Sequence, residues 1–289
     1  LLRASQDENA DLFWALRGGS GNFGIVTSFE YRLFPVGPEI LGGAIAWRAE
    51  DATEVLNFYR QYTAKAPRET TCVAVLRIAP PAPWLPKDIH GKPIVAVFVC
   101  HSGDVEVGES IVAPLRKFGS PVADIVTRRP YTQMQSLLDA TQPKGRRYYW
   151  KSHYLARIEA QAVDVLVDHA TRLVSPFSAI VLFHLQGALG ELPADHSPAG
   201  NRDTAFVLNI TSAWEKAADD AANLRWARDC FEATQGFSTG GTYVNFLTEE
   251  EGCQRIEAAY GKANLARLAA LKQKYDPDNL FRHTKNITA

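Results

Sequence analysis

The stretch that decides the fold is DLFWALRGGSGNFGIVTSFEYRLFP, residues 11–35. Its glycines at 18, 19, 21 and 24 predict a loop that can adopt positive φ angles and approach a ligand closely. Residues 25–33 then alternate between two faces, and this period of two predicts a half-buried strand. Before the loop, residues 10–16 predict a short helix that a glycine ends. The order is therefore helix, glycine loop, strand.

This order decides what the glycines mean. Residues 19–24 spell G-x-G-x-x-G, but a dinucleotide-binding loop of that pattern follows a strand and precedes a helix. A kinase would also need the H-R-D and D-F-G motifs, which this sequence lacks. Neither a Rossmann site nor a kinase loop is therefore expected. A tight turn without any ligand stays open on the residues alone.

Composition indicates an ordinary globular protein. Of the 289 residues, 46% are hydrophobic and 22% are charged. The net charge of −1 gives no reason to expect a nucleic acid or a membrane as partner. We expect a soluble chain with no signal peptide and no transmembrane segment, in an unknown compartment. The four cysteines lack the spacing of a disulfide framework.

After a Gly-Pro boundary at residues 37–38, strand patterns alternate with amphipathic helices. We interpret this as an α+β fold, an antiparallel sheet of about six or seven strands covered by helices. Asp51 and Asp104 are predicted helix N-caps. The predicted strands are 41–47, 72–78, 94–100, 148–154, 180–185 and 206–210, and the longer helices are those opening at 51 and 104 and those at 160–173 and 217–234.

Two blocks near the C-terminus accompany the glycine loop. They are YVNF at 243–246 and YGKANLARLAALKQKYDPDNLF at 260–281, followed by Asn286 and Ile287. Together with residues 11–27 these blocks resemble the berberine bridge enzyme-like FAD-linked oxidases, which are flavoproteins of the vanillyl-alcohol oxidase type. The weaker patterns YWKS at 149–152 and NRDTAF at 201–206 are similar to the substrate domain of that family.

The resemblance implies three regions. Residues 1–37 would be the end of a PCMH-type FAD-binding domain, and residues 38–242 would be the α+β substrate-binding domain. Residues 243–289 would be a C-terminal segment that returns to the FAD domain. Remnants of the FAD-binding domain would thus stand at both ends of the chain.

The resemblance also implies FAD as cofactor and hydride transfer from substrate to flavin as the reaction. The family attaches FAD through residues of an N-terminal subdomain, and its R-x-G-G-H signature is absent from this chain, which opens at Leu1. We therefore expect a C-terminal portion or a natural short form that holds FAD weakly or not at all without that subdomain. The implied cofactor-binding residues are Gly19, Gly21, Asn22, Gly24, Val26, Tyr243, Asn245 and Asn286.

Tyr243 is the catalytic candidate. On a strand, Tyr243 and Asn245 would share a face and could meet one ligand. A tyrosine in this element, often the fourth residue of Y-x-N-Y, helps to remove a substrate proton in the family. Here the fourth residue is Phe246, so that role passes to Tyr243. The alternative is a core aromatic with a hydrogen-bonded hydroxyl.

The resemblance also suggests residues for a small organic or natural-product substrate, with molecular oxygen as electron acceptor. These candidates are Lys151, His184, Gln186 and Arg202. The alternative for the charged ones is a solvated surface position. The histidines show no metal-ligand spacing, so no metal is expected.

Two other functions stay open. A flavin-free relative could use the substrate sheet for binding or for non-redox catalysis, as a cyclase or lyase does. A non-catalytic scaffold could pair its exposed strand edge in a dimer.

Overall fold

The computed structural model describes residues 1–248 and 250–288. The chain divides into two compact units. The larger unit contains residues 34–187 and 204–239. The smaller unit contains residues 1–33, 188–203 and 240–289. The first and last stretches of the chain thus belong to the same unit.

In chain order the helices of the described residues are α1 (Ala10–Leu16), α2 (Ala52–Thr63), α3 (Val105–Arg116), α4 (Tyr131–Gln135), α5 (Ala160–Thr171), α6 (Ala188–Glu191), α7 (Asp220–Thr234), α8 (Cys253–Tyr260) and α9 (Lys262–Tyr275). The strands are β1 (Glu39–Arg48), β2 (Thr70–Ile78), β3 (Pro93–His101), β4 (Ala123–Asp124), β5 (Thr127–Pro130), β6 (Arg147–Leu155), β7 (Ala179–His184) and β8 (Phe206–Trp214).

The strands form one sheet in the larger unit. Its order is β4-β1-β3-β2-β7-β8-β6, and β5 also pairs with β1. The pairs are antiparallel. The predicted α+β fold is confirmed, and the short strands β4 and β5 bring the described sheet to eight strands.

The sheet has two different faces because side chains alternate along each strand. On β8, Leu208 and Ile210 belong to the large core with helices α2, α3, α5 and α7. Asn209 and Thr211 point to the opposite side, which we call the second face. Cross-strand register assigns the other strands to the same two faces.

The core of the helix-covered face is tied together by Tyr59 of α2. Its ring is fully buried, and its hydroxyl donates hydrogen bonds to the carbonyl oxygens of Cys72 and Leu182, at 3.1 and 3.0 Å. Burial raises the pKa of Tyr59 well above its ordinary value. A buried hydroxyl needs such partners, since leaving it unpaired costs about 1–3 kcal/mol.

Part of the second face is covered by the irregular, proline-rich segment 79–92. Leu85 and Ile89 of this segment form a small apolar cluster with Ala46 of β1 and Ala96 of β3. The segment therefore covers β1 and β3.

The two predicted N-caps have different outcomes. Asp104 is confirmed, because its carboxylate accepts a hydrogen bond from the Val107 N–H at 2.9 Å. The cap at Asp51 is wrong. A 3₁₀ turn over Ala49–Asp51 leads into α2, and Asp51 already has helical angles and makes no side-chain cap. A capping residue needs an extended backbone, as Asp104 has.

The predicted strand over residues 25–33 is also wrong. These residues belong to no strand of the structure. Their large apolar side chains are exposed, with Ile25 at 82%, Phe29 at 65% and Leu33 at 85%. A strand requires a hydrogen-bonded neighbour, and no described segment pairs with this one. The segment therefore exposes apolar side chains without forming a strand edge.

The smaller unit is built around α1 and α9. Trp14 of α1 packs in one apolar cluster with Tyr260, Leu268 and Ile287. The Trp14 indole N–H donates to the Asp195 carbonyl oxygen at 2.7 Å. Within the described residues, no helix combines the length and the apolar character needed to cross a membrane.

Candidate functional site

The glycine loop needs its glycines for two separate reasons. A Cβ at Gly19 would lie 2.5 Å from the Ala15 carbonyl oxygen, so packing excludes a side chain there. Gly24 has φ of +143°, which L-residues rarely adopt, and a Cβ there would meet no atom within 4 Å. Packing thus requires glycine at position 19. The positive φ angle requires glycine at position 24, where the space beside the backbone is open.

The loop contacts the C-terminal tail of the chain. A Cβ at Gly21 would lie 3.1 Å from the Thr284 side chain. Asn22 is fully buried, and its amide nitrogen donates to the carbonyl oxygens of Gly19 at 2.8 Å and Lys285 at 3.1 Å. Its Oδ1 accepts from the Ile287 N–H at 3.0 Å. These bonds use the Asn22 side chain within the protein, so its place is structural.

A buried ion pair also stabilises the contact between the glycine loop and the C-terminal tail. Lys272 of α9 donates to the Asp276 carboxylate at 2.6 Å and to the carbonyl oxygens of Asn22 and Phe281, at 2.9 and 2.7 Å. Burial acts to raise the pKa of Asp276, but hydrogen bonds from Lys272 and from the Phe281 and Leu280 N–H groups outweigh it and lower that pKa. Through its bond to the Asn22 carbonyl oxygen, Lys272 therefore holds the backbone of the glycine loop in place.

Asn286 differs from Asn22. Its Oδ1 is buried and has no hydrogen-bond partner in the structure. Buried polar atoms are nearly always paired, so an unpaired one calls for an explanation. Asn286 follows Lys285 and precedes Ile287, both of which bond to Asn22. Val26, on the other side of the loop, is part of the exposed segment.

Tyr243 and Asn245 are close, although the predicted strand is wrong. A 3₁₀ turn spans Val244–Phe246 and Tyr243 is its N-cap. The Asn245 amide donates to the Tyr243 hydroxyl at 2.8 Å, and the Phe246 ring meets the Tyr243 ring edge-on at 5.1 Å. Tyr243 is 37% exposed, so it is not the core aromatic of the alternative interpretation.

Lys151 lies on the helix-covered face of the sheet. It is paired with Ile210 of β8, and its ammonium group is 5.4 Å from the ring centres of both Tyr149 and Phe231. Phe231 belongs to α7, which packs on this side. Lys151 therefore lies on the opposite side from the polar residues of the second face.

His184 and Gln186 are held within the larger unit. His184 is buried against the Phe206 ring, with 5.4 Å between ring centres, and burial lowers its pKa to about 4. The Gln186 amide nitrogen donates to the carbonyl oxygens of Ala66, Pro67 and Thr70. The Gln186 side chain thus anchors a loop.

Arg202 lies in the smaller unit, whereas the sheet lies in the larger unit. Its guanidinium donates to the Ser197 hydroxyl at 2.6 Å and to the Leu189 carbonyl oxygen at 3.3 Å. Both partners belong to segment 188–203, so Arg202 holds that segment together.

The structure reveals polar residues that the sequence analysis does not select. Ser152 of β6 is directly paired with Asn209 of β8, and both are buried on the second face. The Thr211 hydroxyl donates to the Asn209 side-chain oxygen. In the sequence, Asn209 and Thr211 stand at alternate positions of the mostly apolar strand β8, and this pattern could have indicated them. Only the register shows that the three side chains meet.

Among residues 1–248 and 250–288, no group of three or more His, Cys, Asp or Glu side chains is arranged to hold a metal ion.

Comparisons with known proteins find FAD-linked oxidoreductases among the proteins similar to this chain. The family model "Berberine and berberine like" matches residues 242–288. A FAD-linked oxidoreductase of Dictyostelium discoideum is 26% identical over 289 residues, covering 99% of this chain and 60% of that protein. (R)-6-hydroxynicotine oxidase of Paenarthrobacter nicotinovorans is 28% identical over 294 residues, covering 99% of this chain and 62% of that protein.

Solved structures share the fold. The 6-hydroxy-D-nicotine oxidase of Arthrobacter nicotinovorans superposes with a TM-score of 0.81 at 24% identity, covering 98% of this chain and 62% of that one. Berberine bridge enzyme from Eschscholzia californica gives a TM-score of 0.81 at 18% identity, over 96% and 61% of the two chains.

The chain is therefore related to the berberine bridge enzyme-like FAD-linked oxidoreductases. It spans about three fifths of the length of the curated relatives described above.

Proposed function

We propose that this chain is part of an FAD-dependent oxidoreductase that oxidises a small organic molecule by hydride transfer to the flavin. Molecular oxygen would be the final electron acceptor. A subdomain with the flavin-attachment residues would complete the site, as the resemblance implies. The cited relatives, which are named FAD-linked oxidoreductases and oxidases, support this class of reaction.

One observation carries the proposal. Gly21 and Asn22, near the start of the chain, contact residues 284–287 near its end. The family resemblance implies FAD-binding residues in both stretches, although the two stretches are far apart in the sequence. Their convergence in the smaller unit is what a shared cofactor site requires.

The residues present fit a flavin nucleotide. The unpaired, buried Oδ1 of Asn286 is an acceptor that a ligand can satisfy, and the space beside Gly24 leaves backbone accessible. The backbone of Gly21 and Gly24, the Asn286 amide and the apolar side chain of Val26 would hold the nucleotide. FAD supplies the electron-accepting chemistry, and the protein supplies binding and orientation. Asn22 acts on the site by positioning the loop.

Tyr243 is the proposed proton acceptor for the substrate: as a phenolate it would take the proton, become the neutral phenol and then release the proton to solvent. The amide of Asn245 donates to its phenol oxygen, which fixes the direction in which the hydroxyl proton can point. General acid–base catalysis by one positioned side chain typically contributes about 10²–10⁴-fold to the rate. Partial exposure of the Tyr243 side chain leaves it available to a ligand.

Within the larger unit, the second face is a separate proposed binding surface for a small organic molecule. Ser152, Asn209 and Thr211 provide hydroxyl and amide groups in one cluster. Ligand sites are mostly apolar and carry a few placed polar groups of this kind. We leave Lys151 out of the proposed site because it lies on the opposite face.

A titration of FAD into the purified chain, followed by flavin fluorescence, tests the cofactor proposal. We expect weak binding that is lost on desalting, and still weaker binding in Asn286→Leu. Asn57→Leu is the matched control, because Asn57 is a partly exposed asparagine on α2 whose amide donates to the Thr53 carbonyl oxygen. Equal binding by both variants, or no binding at any concentration, would count against the proposed site.

A further inference from the structure

Two guanidinium groups lie at one end of the second face. Arg77 is near the end of β2 and is paired with Ala179 of β7, which in turn is paired with Thr211 of β8. Arg146 immediately precedes β6 and stacks on the Phe177 ring, with 3.6 Å between its Cζ atom and the ring centre. All these residues belong to the larger unit.

The positive charge at this end of the sheet is poorly neutralised. Burial lowers the pKa of Arg77, and the nearby charge of Arg146 lowers it further, without any carboxylate acting in the opposite direction. The guanidinium of Arg77 donates through Nε to the carbonyl oxygen of Ile78 at 3.2 Å. Arg77 is thus a half-buried cation with a second cation nearby.

Arg146 has one weak acidic partner. Its Nη2 is 3.7 Å from Glu215, whose side chain is 62% exposed, while the Arg146 side chain is only 15% exposed. The Nε of Arg146 is buried without a hydrogen-bond partner. The adjacent Arg147 differs, because Asp220 accepts two hydrogen bonds from it at 2.6 and 2.7 Å. Arg147 therefore has a close carboxylate partner, whereas the carboxylate beside Arg146 is 3.7 Å away.

We propose that Arg77 and Arg146 form a binding site for an oxyanion, the carboxylate or phosphate group of a small molecule. The planar guanidinium fork matches the two oxygens of either group, and hydrogen bonds between charged partners are stronger than neutral ones. An anion at this place offsets the repulsion between two half-buried cations. The site is independent of the flavin proposal, because both residues lie in the larger unit.

Calorimetric titration of inorganic phosphate and of acetate, at constant pH and ionic strength in a chloride buffer, tests the site. We expect saturable binding to the wild-type chain and at least about tenfold weaker binding in Arg77→Gln and in Arg146→Gln. Tighter phosphate binding identifies a phosphate site, and tighter acetate binding identifies a carboxylate site. Arg157→Gln is the control, since Arg157 is 79% exposed and pairs with Glu159.

Melting temperatures measured in parallel distinguish a loss of anion binding from a loss of folding in each variant. Without phosphate or acetate, Arg77→Gln should be at least as stable as the wild type, because it removes a like-charge contact. Arg77→Lys retains the charge without the fork and should bind with intermediate affinity. Absence of saturable binding in the wild type, or retention of full affinity in both glutamine variants, would overturn the site.

Discussion

The side-chain oxygen of Asn22 accepts a hydrogen bond from the backbone N–H of Ile287 at 3.0 Å, across 265 positions of sequence. Four positions after the first glycine of the loop, the chain is thus fixed to its own C-terminal tail. This bond and the two that the Asn22 amide donates position the glycine loop before any ligand arrives. Pre-organisation of this kind reduces the entropy that binding must offset.

Asn22→Leu and Asn286→Leu should therefore differ in their effect on stability. Asn22→Leu removes three hydrogen bonds and leaves their buried partners unpaired, so we expect a loss of about 3 kcal/mol in the free energy of unfolding. Asn286→Leu removes an unpaired buried oxygen, so stability should change by less than about 0.5 kcal/mol. Urea unfolding measures both. Similar destabilisation by the two variants would make Asn286 a structural residue.

Lys272→Met should loosen the glycine loop. The substitution keeps the length of the side chain but removes its bonds to Asp276, Asn22 and Phe281, and leaves a buried carboxylate without its cation. We expect a lower melting temperature and faster amide exchange in residues 18–24 and 280–288. Lys262→Met is the control, because Lys262 is an exposed lysine at the start of the same helix. Equal effects of both variants would contradict a role of the Lys272–Asp276 pair in holding the glycine loop.

Asp11 should give the smaller unit an acid-sensitive stability. Hydrogen bonding from Lys274, followed by that from Tyr275 and the Leu12 N–H, lowers the Asp11 pKa from its usual 3.8 to about 2. A carboxylate with a lowered folded-state pKa stabilises above its unfolded pKa, and this contribution is lost as pH falls from about 4 to about 2. Asp11→Asn should therefore flatten the decline in stability over that window. An unchanged acid-unfolding curve would show that Asp11 contributes nothing.

Tyr243→Phe should lower the turnover of the flavin-loaded protein, once a substrate is known. Loss of a proton acceptor predicts a fall in kcat of about 10²-fold or more, with the melting temperature unchanged because the side chain is partly exposed. Asn245→Leu should have a smaller effect, since it removes only the bond that orients the phenol. Full turnover in Tyr243→Phe would exclude the proposed role.

The exposed segment should cause self-association of the isolated chain. Phe29 and Leu33 present large apolar surface, and the Phe29 ring stacks on Tyr31 with 5.4 Å between centres. Contiguous apolar surface and unpaired backbone promote association. Phe29→Lys with Leu33→Lys should reduce the association seen by light scattering. If the double variant associates as the wild type does, another surface is responsible.

Sequence patterns predicted the elements whose signals are local. The period of apolar residues located the sheet strands and long helices, and the position of Asp104 before α3 located its cap. Asp51 has the same residue chemistry, but the preceding 3₁₀ turn already sets its backbone. Residue type therefore predicts a helix cap only where the backbone of that residue is free to adopt the extended conformation of a cap.

Other features depend on contacts between distant residues. Residues 25–33 have the alternation of a strand, but strand formation requires a partner that the described chain does not supply. Lys151 falls on the helix-covered face only through the register of β6 with β8. The same register brings Ser152 to Asn209, which no spacing in the sequence indicates. The bonds from Asn22 to the C-terminal tail are of the same non-local kind.

Hydrogen–deuterium exchange of the chain with and without saturating FAD tests whether the glycine loop and the C-terminal tail hold the flavin. We expect slower exchange in residues 18–24 and 284–288 when FAD is present, with the Asn286→Leu variant showing little of this protection. Protection confined to the helices of the larger unit, or none at saturating FAD, would contradict a flavin site at the junction of the glycine loop and the C-terminal tail.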